Sequence, residues 1–178
     1  MDVYWEQFKT PFLCFAGFSG VGKTTLLERL TKRFAEEDIR VGYYKHDSHR
    51  FSMDKTGKDT ARVREAGAGI VAINDPTHFG VLADNDFKQL TITHALERCD
   101  CILIEGYKQS PFNKIVFLDD VGKLPIPADS KGICAIVHQG TGTLEQFVEQ
   151  GIPLFHRDEI EKIFDFVNGH FKRCASEL

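Results

Sequence analysis

The stretch Gly17-Phe18-Ser19-Gly20-Val21-Gly22-Lys23-Thr24 has the spacing G-x-x-x-x-G-K-[ST], with an apolar run before it and an amphipathic segment after it. Residues of these types at this spacing bind phosphate. Gly17, Gly20 and Gly22 let the backbone N–H groups of the loop, those of Ser19 and Val21 among them, converge on phosphate oxygens. The start of the following helix adds the positive end of its dipole. Lys23 is placed to reach β- and γ-phosphates, and the Thr24 hydroxyl to ligate Mg²⁺. Such a site needs an acid at the end of a neighbouring strand to organise the metal and its waters. Asp100-Cys101-Ile102-Leu103-Ile104-Glu105-Gly106 supplies it. Four apolar residues mark a central strand, so Glu105 emerges at its carboxyl end, beside a glycine that lets the chain turn away. Lys23 and Glu105 are the expected catalytic residues, and Thr24 and Glu105 expected metal ligands.

These residues need alternating strands and helices to hold them, and the hydrophobic pattern provides that order. The apolar run 12–16, stopped by Gly17, predicts a strand buried on both faces. From Lys23 onward Leu26, Leu27, Leu30 and Phe34 recur at helical spacing, and residues 39–44 predict a second strand. Further strands are predicted over 70–73, 78–82, 101–104, 114–118 and 133–137, and a helix over 87–96. A closing helix is predicted after Asp158 as its N-cap, with Ile160, Ile163, Phe164, Val167 and Phe171 on one face. Residues 45–64 lack apolar periodicity and read as a polar loop with a local excess of three positive charges. Residues 70–82 read as a hairpin around Asn74-Asp75-Pro76-Thr77, a plausible subunit contact, and 125–132 as a surface loop. The expected architecture is α/β, a three-layer P-loop NTPase fold with a mainly parallel sheet covered by helices on both faces. One domain is expected over residues 1–178, with ligands at the carboxyl ends of the strands.

Composition narrows the partners. The 178 residues carry 22 Lys+Arg against 26 Asp+Glu, a net charge of −4. That is too weak and of the wrong sign for a protein that lives on nucleic acid or on an anionic membrane. No stretch approaches the roughly 18 apolar residues of a membrane span. The first residues hold acids and a glycine turn in place of a signal peptide's apolar core, so a cytoplasmic location is expected. Five scattered cysteines do not form a disulfide framework, and Cys99-x-Cys101 lacks the second pair that a zinc site requires.

Nothing in residue spacing separates GTP from ATP. The Asn-Lys-x-Asp tetrad that reads guanine in Ras-like GTPases begins in Asn113-Lys114-Ile115-Val116, but Val116 stands where the carboxylate belongs, so the match is a coincidence. The residues alone imply a site for a magnesium-bound nucleoside triphosphate.

The segments Tyr44-Lys45-His46-Asp47-Ser48-His49, Met53-Asp54-Lys55-Thr56-Gly57-Lys58-Asp59-Thr60 and Arg64-Glu65-Ala66-Gly67-Ala68 are more specific. With the phosphate loop and Ile102-Leu103-Ile104-Glu105-Gly106-Tyr107-Lys108, the chain resembles the molybdopterin-guanine dinucleotide biosynthesis protein B family over residues 11–118, with an echo at 152–167. The resemblance implies a small dimeric protein that binds GTP and hydrolyses it weakly. It also implies a role in molybdenum cofactor biosynthesis, beside the molybdopterin guanylyltransferase that joins GMP to molybdopterin. Position by position, Gly17, Gly20, Gly22, Lys23, Thr24 and Thr25 match the family's phosphate loop, Glu105 its strand-end acid, Lys45 and His46 its Lys-His pair, and Asp59 the acid of its Gly-Lys-Asp segment. A weaker similarity to dethiobiotin synthetase assigns Thr24, Asp59 and Glu105 to Mg²⁺, and Lys45 to a phosphate or substrate anion. His46 and His49, three residues apart, lack a third ligand for a metal site of their own.

Two departures bear on partners and base. Relatives commonly have a proline before the lysine at position 114 and an arginine after that strand, where this chain has Asn113 and Asp119-Asp120. They also tend to end the 133–137 strand with an acid, where His138-Gln139 stand. The competing expectation is a P-loop small-molecule kinase or ligase-like enzyme using ATP or GTP, with Lys45 on the acceptor. A third is an interaction module with a vestigial site, against which the intact loop argues.

Overall fold

The protein is seen here as a computed structural model that describes residues 5–46, 57–84, 87–127, 129–140 and 145–176. His49 and the segments 47–49 and 53–56 lie outside them. The regular elements in chain order are β1 (Phe12–Ala16), α1 (Lys23–Ala35), β2 (Val41–Lys45), α2 (Asp59–Glu65), β3 (Ile70–Asn74), β4 (Phe79–Ala83) and α3 (Lys88–Leu96). They continue with β5 (Cys101–Glu105), β6 (Lys114–Phe117), β7 (Ile133–His138), α4 (Glu145–Glu149), β8 (Leu154–His156) and α5 (Ile160–Ser176). The chain gathers into two compact units, Lys9–His46 with Cys99–Leu178, and Met1–Phe8 with Asp47–Arg98.

The larger unit is an α/β fold built on six strands in the order β2-β5-β1-β6-β7-β8. All of its pairings are parallel. Strand β1 lies inside the sheet because its alternate residues bury on opposite faces. Leu13 and Phe15 meet Leu26, Leu27, Leu30 and Phe34 of α1 and Ile163, Phe164, Val167 and Phe171 of α5. On the other face Ala16 joins Val116, Ile136, Ile126 and Phe147 of α4. Each fully buried Leu or Phe contributes about 1.5–3 kcal/mol, so the two aromatic contacts of Phe34, with Phe164 at 4.7 Å and Phe171 at 6.0 Å, fix α1 to α5 strongly. The phosphate loop is thus suspended between an anchored strand and an anchored helix.

The smaller unit contains the antiparallel hairpin of β3 and β4, in register from Ile70↔Ala83 to Asn74↔Phe79. Its turn is tied by Asp75, whose Oδ1 accepts the backbone N–H groups of Thr77 and His78, both at 2.7 Å, and these bonds hold the carboxyl below its usual range.

Two expectations are corrected. The end of the polar loop expected over 45–64 belongs instead to the helix α2, Asp59–Glu65. Only Ala61 is buried there, so no apolar period marks it, while Asp59 in the first turn and Arg62 and Arg64 in the last complement the helix dipole. The closing helix is not capped by Asp158. The Glu159 carbonyl accepts the N–H of Ile163 at 3.0 Å and takes the cap position, because the turn after β8 uses Arg157 and Asp158.

Candidate phosphate-binding site

Gly17 leaves β1 where a side chain would not fit: a Cβ there would lie 2.9 Å from the Cβ of Phe117 and 3.0 Å from Cγ2 of Val21. At the far end of the loop Gly22 caps α1 with φ 87° and no side-chain hydrogen bond to the helix. The first-turn N–H groups are thereby left to solvent or a ligand. A loop of this shape, ending in a helix start without a side-chain cap, fits an anion.

Lys23 and Glu105 meet over this loop. The Lys23 ammonium donates to the carbonyl of Phe18 at 2.6 Å and lies 3.9 Å from Oε1 of Glu105, each side chain only 10% exposed. Burial holds its pKa below the usual lysine value; Glu105 opposes that shift, and Lys108 and Lys45 reinforce it. Oε2 of Glu105 accepts two hydroxyls, from Thr24 at 3.1 Å and from Tyr43 at 2.9 Å. Burial and the bond to Glu105 push the Tyr43 phenol up to about 12. A hydroxyl at the helix start facing a buried carboxylate is the donor pair that an Mg²⁺ ion and its waters require.

The family model of MobB, molybdopterin guanine dinucleotide synthesis protein B, matches residues 12–139. The chain belongs to this family. It is 31% identical over 166 residues to a protein of Bacillus subtilis strain 168 described as a probable molybdopterin-guanine dinucleotide biosynthesis adapter protein, covering 91% of this chain and 94% of the relative. It is 32% identical over 131 residues to the adapter protein of Haemophilus influenzae, covering 71% and 73%. Among solved structures, a crystal structure of Bacillus subtilis MobB matches with a TM-score of 0.70 at 29% identity, over 90% of this chain and 97% of the other.

Within this chain the remaining site candidates fall in several places. Lys45 ends β2 in register with Glu105. In a parallel pair such partners share a face, so Lys45 and Tyr43 stand on the side of Glu105 and α1. His46 is held by its backbone, whose N–H donates to the Glu105 carbonyl at 2.9 Å, and its ring stacks on Tyr107 at 4.4 Å. Gly106 is required at that crossing, because with φ 126° a Cβ would meet the His46 carbonyl oxygen at 2.9 Å. Thr25, in the first turn of α1, is exposed. Asp59 opens α2 in the smaller unit, its Oδ1 accepting the N–H of Thr60 at 3.0 Å. The larger unit therefore brings Lys23, Thr24 and Glu105 together.

Lys114 is fully buried and donates to the carbonyls of Ser110 at 2.5 Å and Lys131 at 2.8 Å, at the amino end of β6 and away from the phosphate loop. The partial Asn-Lys-x-Asp match is thus a structural tie. Just past β7, the amide of Gln139 donates to Asp120 at 2.8 Å and accepts from Arg157 at 2.5 Å. Sequence reasoning missed Tyr43 as a partner of Glu105. It also missed Lys108, whose ammonium sits 5.7 Å from the ring centre of Phe18, although Lys108 closes the strand-end segment that carried the family resemblance.

Proposed function

We propose that this protein is a GTP-binding adapter in molybdopterin-guanine dinucleotide assembly. In this reading it holds Mg·GTP in the loop Gly17–Thr24, hydrolyses it slowly, and works beside the guanylyltransferase that attaches GMP to molybdopterin, in the cytoplasm. The observation that carries the reading is the convergence of Lys23, Thr24 and Glu105 on the glycine-entered start of α1. The adapter role is supported by family membership and by relatives that bear that description.

Lys23 neutralises charge on the β- and γ-phosphates, and the loop amides orient them. Thr24 and Glu105 would hold Mg²⁺. When bound, the ion supplies charge neutralisation between the terminal phosphates. Slow turnover is in keeping with Glu105, which is occupied by two hydroxyls and faces Lys23, and so is poorly disposed to orient an attacking water. Lys45 and His46 complete the phosphate side of the site.

A homodimer is part of the proposal. The two-stranded ribbon of β3 and β4 leaves Ile73 61% and Phe79 73% exposed, and such a ribbon is marginal in water without a further partner. A second copy of the chain is the proposed cover, and sedimentation of a monomer at micromolar concentration would remove this part. The nucleotide reading is tested by calorimetry of the full chain with GTP and ATP in the presence of Mg²⁺. Tighter binding of GTP, slow phosphate release and association with the guanylyltransferase are expected. Fast transfer to an added small-molecule acceptor would favour a kinase instead.

A further inference from the structure

We infer that Lys108 is a third phosphate-reading cation at this site, one that distinguishes a nucleoside triphosphate from a diphosphate by contacting the terminal phosphate. The inference rests on the reading of Gly17–Thr24 as a nucleotide cradle. Lys108 follows Glu105 by three residues, and the turn between them is firmly set. Gly106 and Tyr107 both adopt left-handed backbone, with φ 126° and 50°. The Tyr107 ring is stacked on His46 at 4.4 Å and meets the edge of Phe112 at 6.0 Å. A side chain leaving a fastened turn keeps its direction. Here it brings the ammonium over Phe18, the second residue of the phosphate loop, 5.7 Å from the ring centre.

The electrostatic setting gives this position its meaning. The Lys23 ammonium lies 3.9 Å from Glu105, Lys45 is the register partner of Glu105 on β2, and the charges of Lys45 and Lys108 are felt at Lys23. Lys108 is exposed, and among the described residues its one contact of this kind is the Phe18 ring. Ammonium groups close enough to lower the pKa of Lys23 repel it until an anion arrives. The loop amides and Lys23 suffice for a β-phosphate. The further positive charge of Lys108 follows the turn that leaves β5 and sits over the phosphate loop at Phe18, and there it suits the additional charge of the terminal phosphate. Phe18 is half-buried against the core, and an exposed ammonium 5.7 Å from its ring centre is held weakly, so exchange of the ring for a phosphate oxygen is favourable.

The test titrates the full chain with GDP and with the non-hydrolysable β,γ-imido analogue of GTP, both with Mg²⁺, comparing wild type, Lys108→Gln and Lys108→Arg. Lys108→Gln is expected to weaken the analogue about tenfold while GDP changes by less than about twofold, and Lys108→Arg to restore most of the loss. Equal weakening of both nucleotides, or of neither, overturns the inference. A wild-type protein that binds neither nucleotide overturns the cradle itself, and with it this role for Lys108.

Discussion

Lys23 and Lys114 occupy opposite ends of one parallel sheet, and burial lowers the ammonium pKa of both. Lys23 lies beyond the carboxyl end of β1 and Lys114 at the amino end of β6. Lys114 is completely enclosed and spends its donors on two carbonyls, those of Ser110 and Lys131, that flanking loops hold in place. Lys23 donates to a carbonyl of the glycine loop itself, faces a carboxylate at 3.9 Å and feels two like charges. One lysine fastens loops together; the other stands among partners that rearrange favourably around an anion. Residue type and burial are shared, so the use of each lysine is decided by whether its neighbours are fixed acceptors or exchangeable ones.

The contrast is sharpest in a pair of substitutions. Lys114→Ala removes both ties and leaves a cavity where the enclosed lysine side chain stood, so folding stability is expected to fall by about 3 kcal/mol in urea unfolding. Nucleotide affinity of the folded variant should stay as in wild type. Lys23→Ala should do the reverse, costing about 1.5–3 kcal/mol of nucleotide affinity, or roughly tenfold to a hundredfold, with little change in unfolding. Loss of nucleotide affinity in both variants to the same degree would break the distinction.

That distinction divides what the sequence made legible from what it hid. The glycine spacing around Lys23 and the helical recurrence of Leu26, Leu27, Leu30 and Phe34 announce β1, the loop and α1, because local chemistry alone demands them. Glu105 is legible as the end of an apolar run. Lys114 is not, since a lysine opening a strand looks solvated until the loops that enclose it are known. Tyr43 and Glu105 are 62 residues apart and meet only because β2 pairs with β5, with Lys45 opposite Glu105. Register is a property of the assembled sheet. The polar helix α2 and the short α4, where Phe147 supplies the buried contact, present too few apolar residues for any period to be read.

The amino end of the sheet should also set the response to alkali. Cys14 and Cys134 lie near Lys114, and burial pushes their thiols up from 9.0 to about 12 and about 11. In the unfolded chain these thiols release protons near pH 9, whereas the folded protein retains them. Their contribution is therefore complete below pH 9 and is lost as pH rises through about 11 to 12. The lowered pKa of Lys114 acts in the opposite sense, adding stability as pH rises toward 10.5, and offsets part of the loss. Unfolding free energy is expected to drop by about 2 kcal/mol between pH 8.5 and 11, and to drop less in Cys134→Ala and Cys14→Ala. Variants as alkali-sensitive as wild type would show that this end of the sheet is not where the protons are held.

The smallest expected effect probes the carboxyl end. Tyr43→Phe keeps the ring and deletes one of the two hydroxyls bound to Oε2 of Glu105, leaving Thr24 as the remaining hydroxyl donor to that oxygen. The carboxylate is then less firmly aimed, and the part of nucleotide affinity that depends on Mg²⁺ should fall about fivefold, close to 1 kcal/mol. Affinity measured without Mg²⁺ should not move, because among the described residues the phenol's hydrogen bond goes to Glu105 and not to Lys23 or the glycine loop. If both affinities fell together, Tyr43 would be shaping the cradle and not the acid. The carboxyl end would then resemble the amino end more closely, as a set of fixed ties in place of a site kept open for exchange.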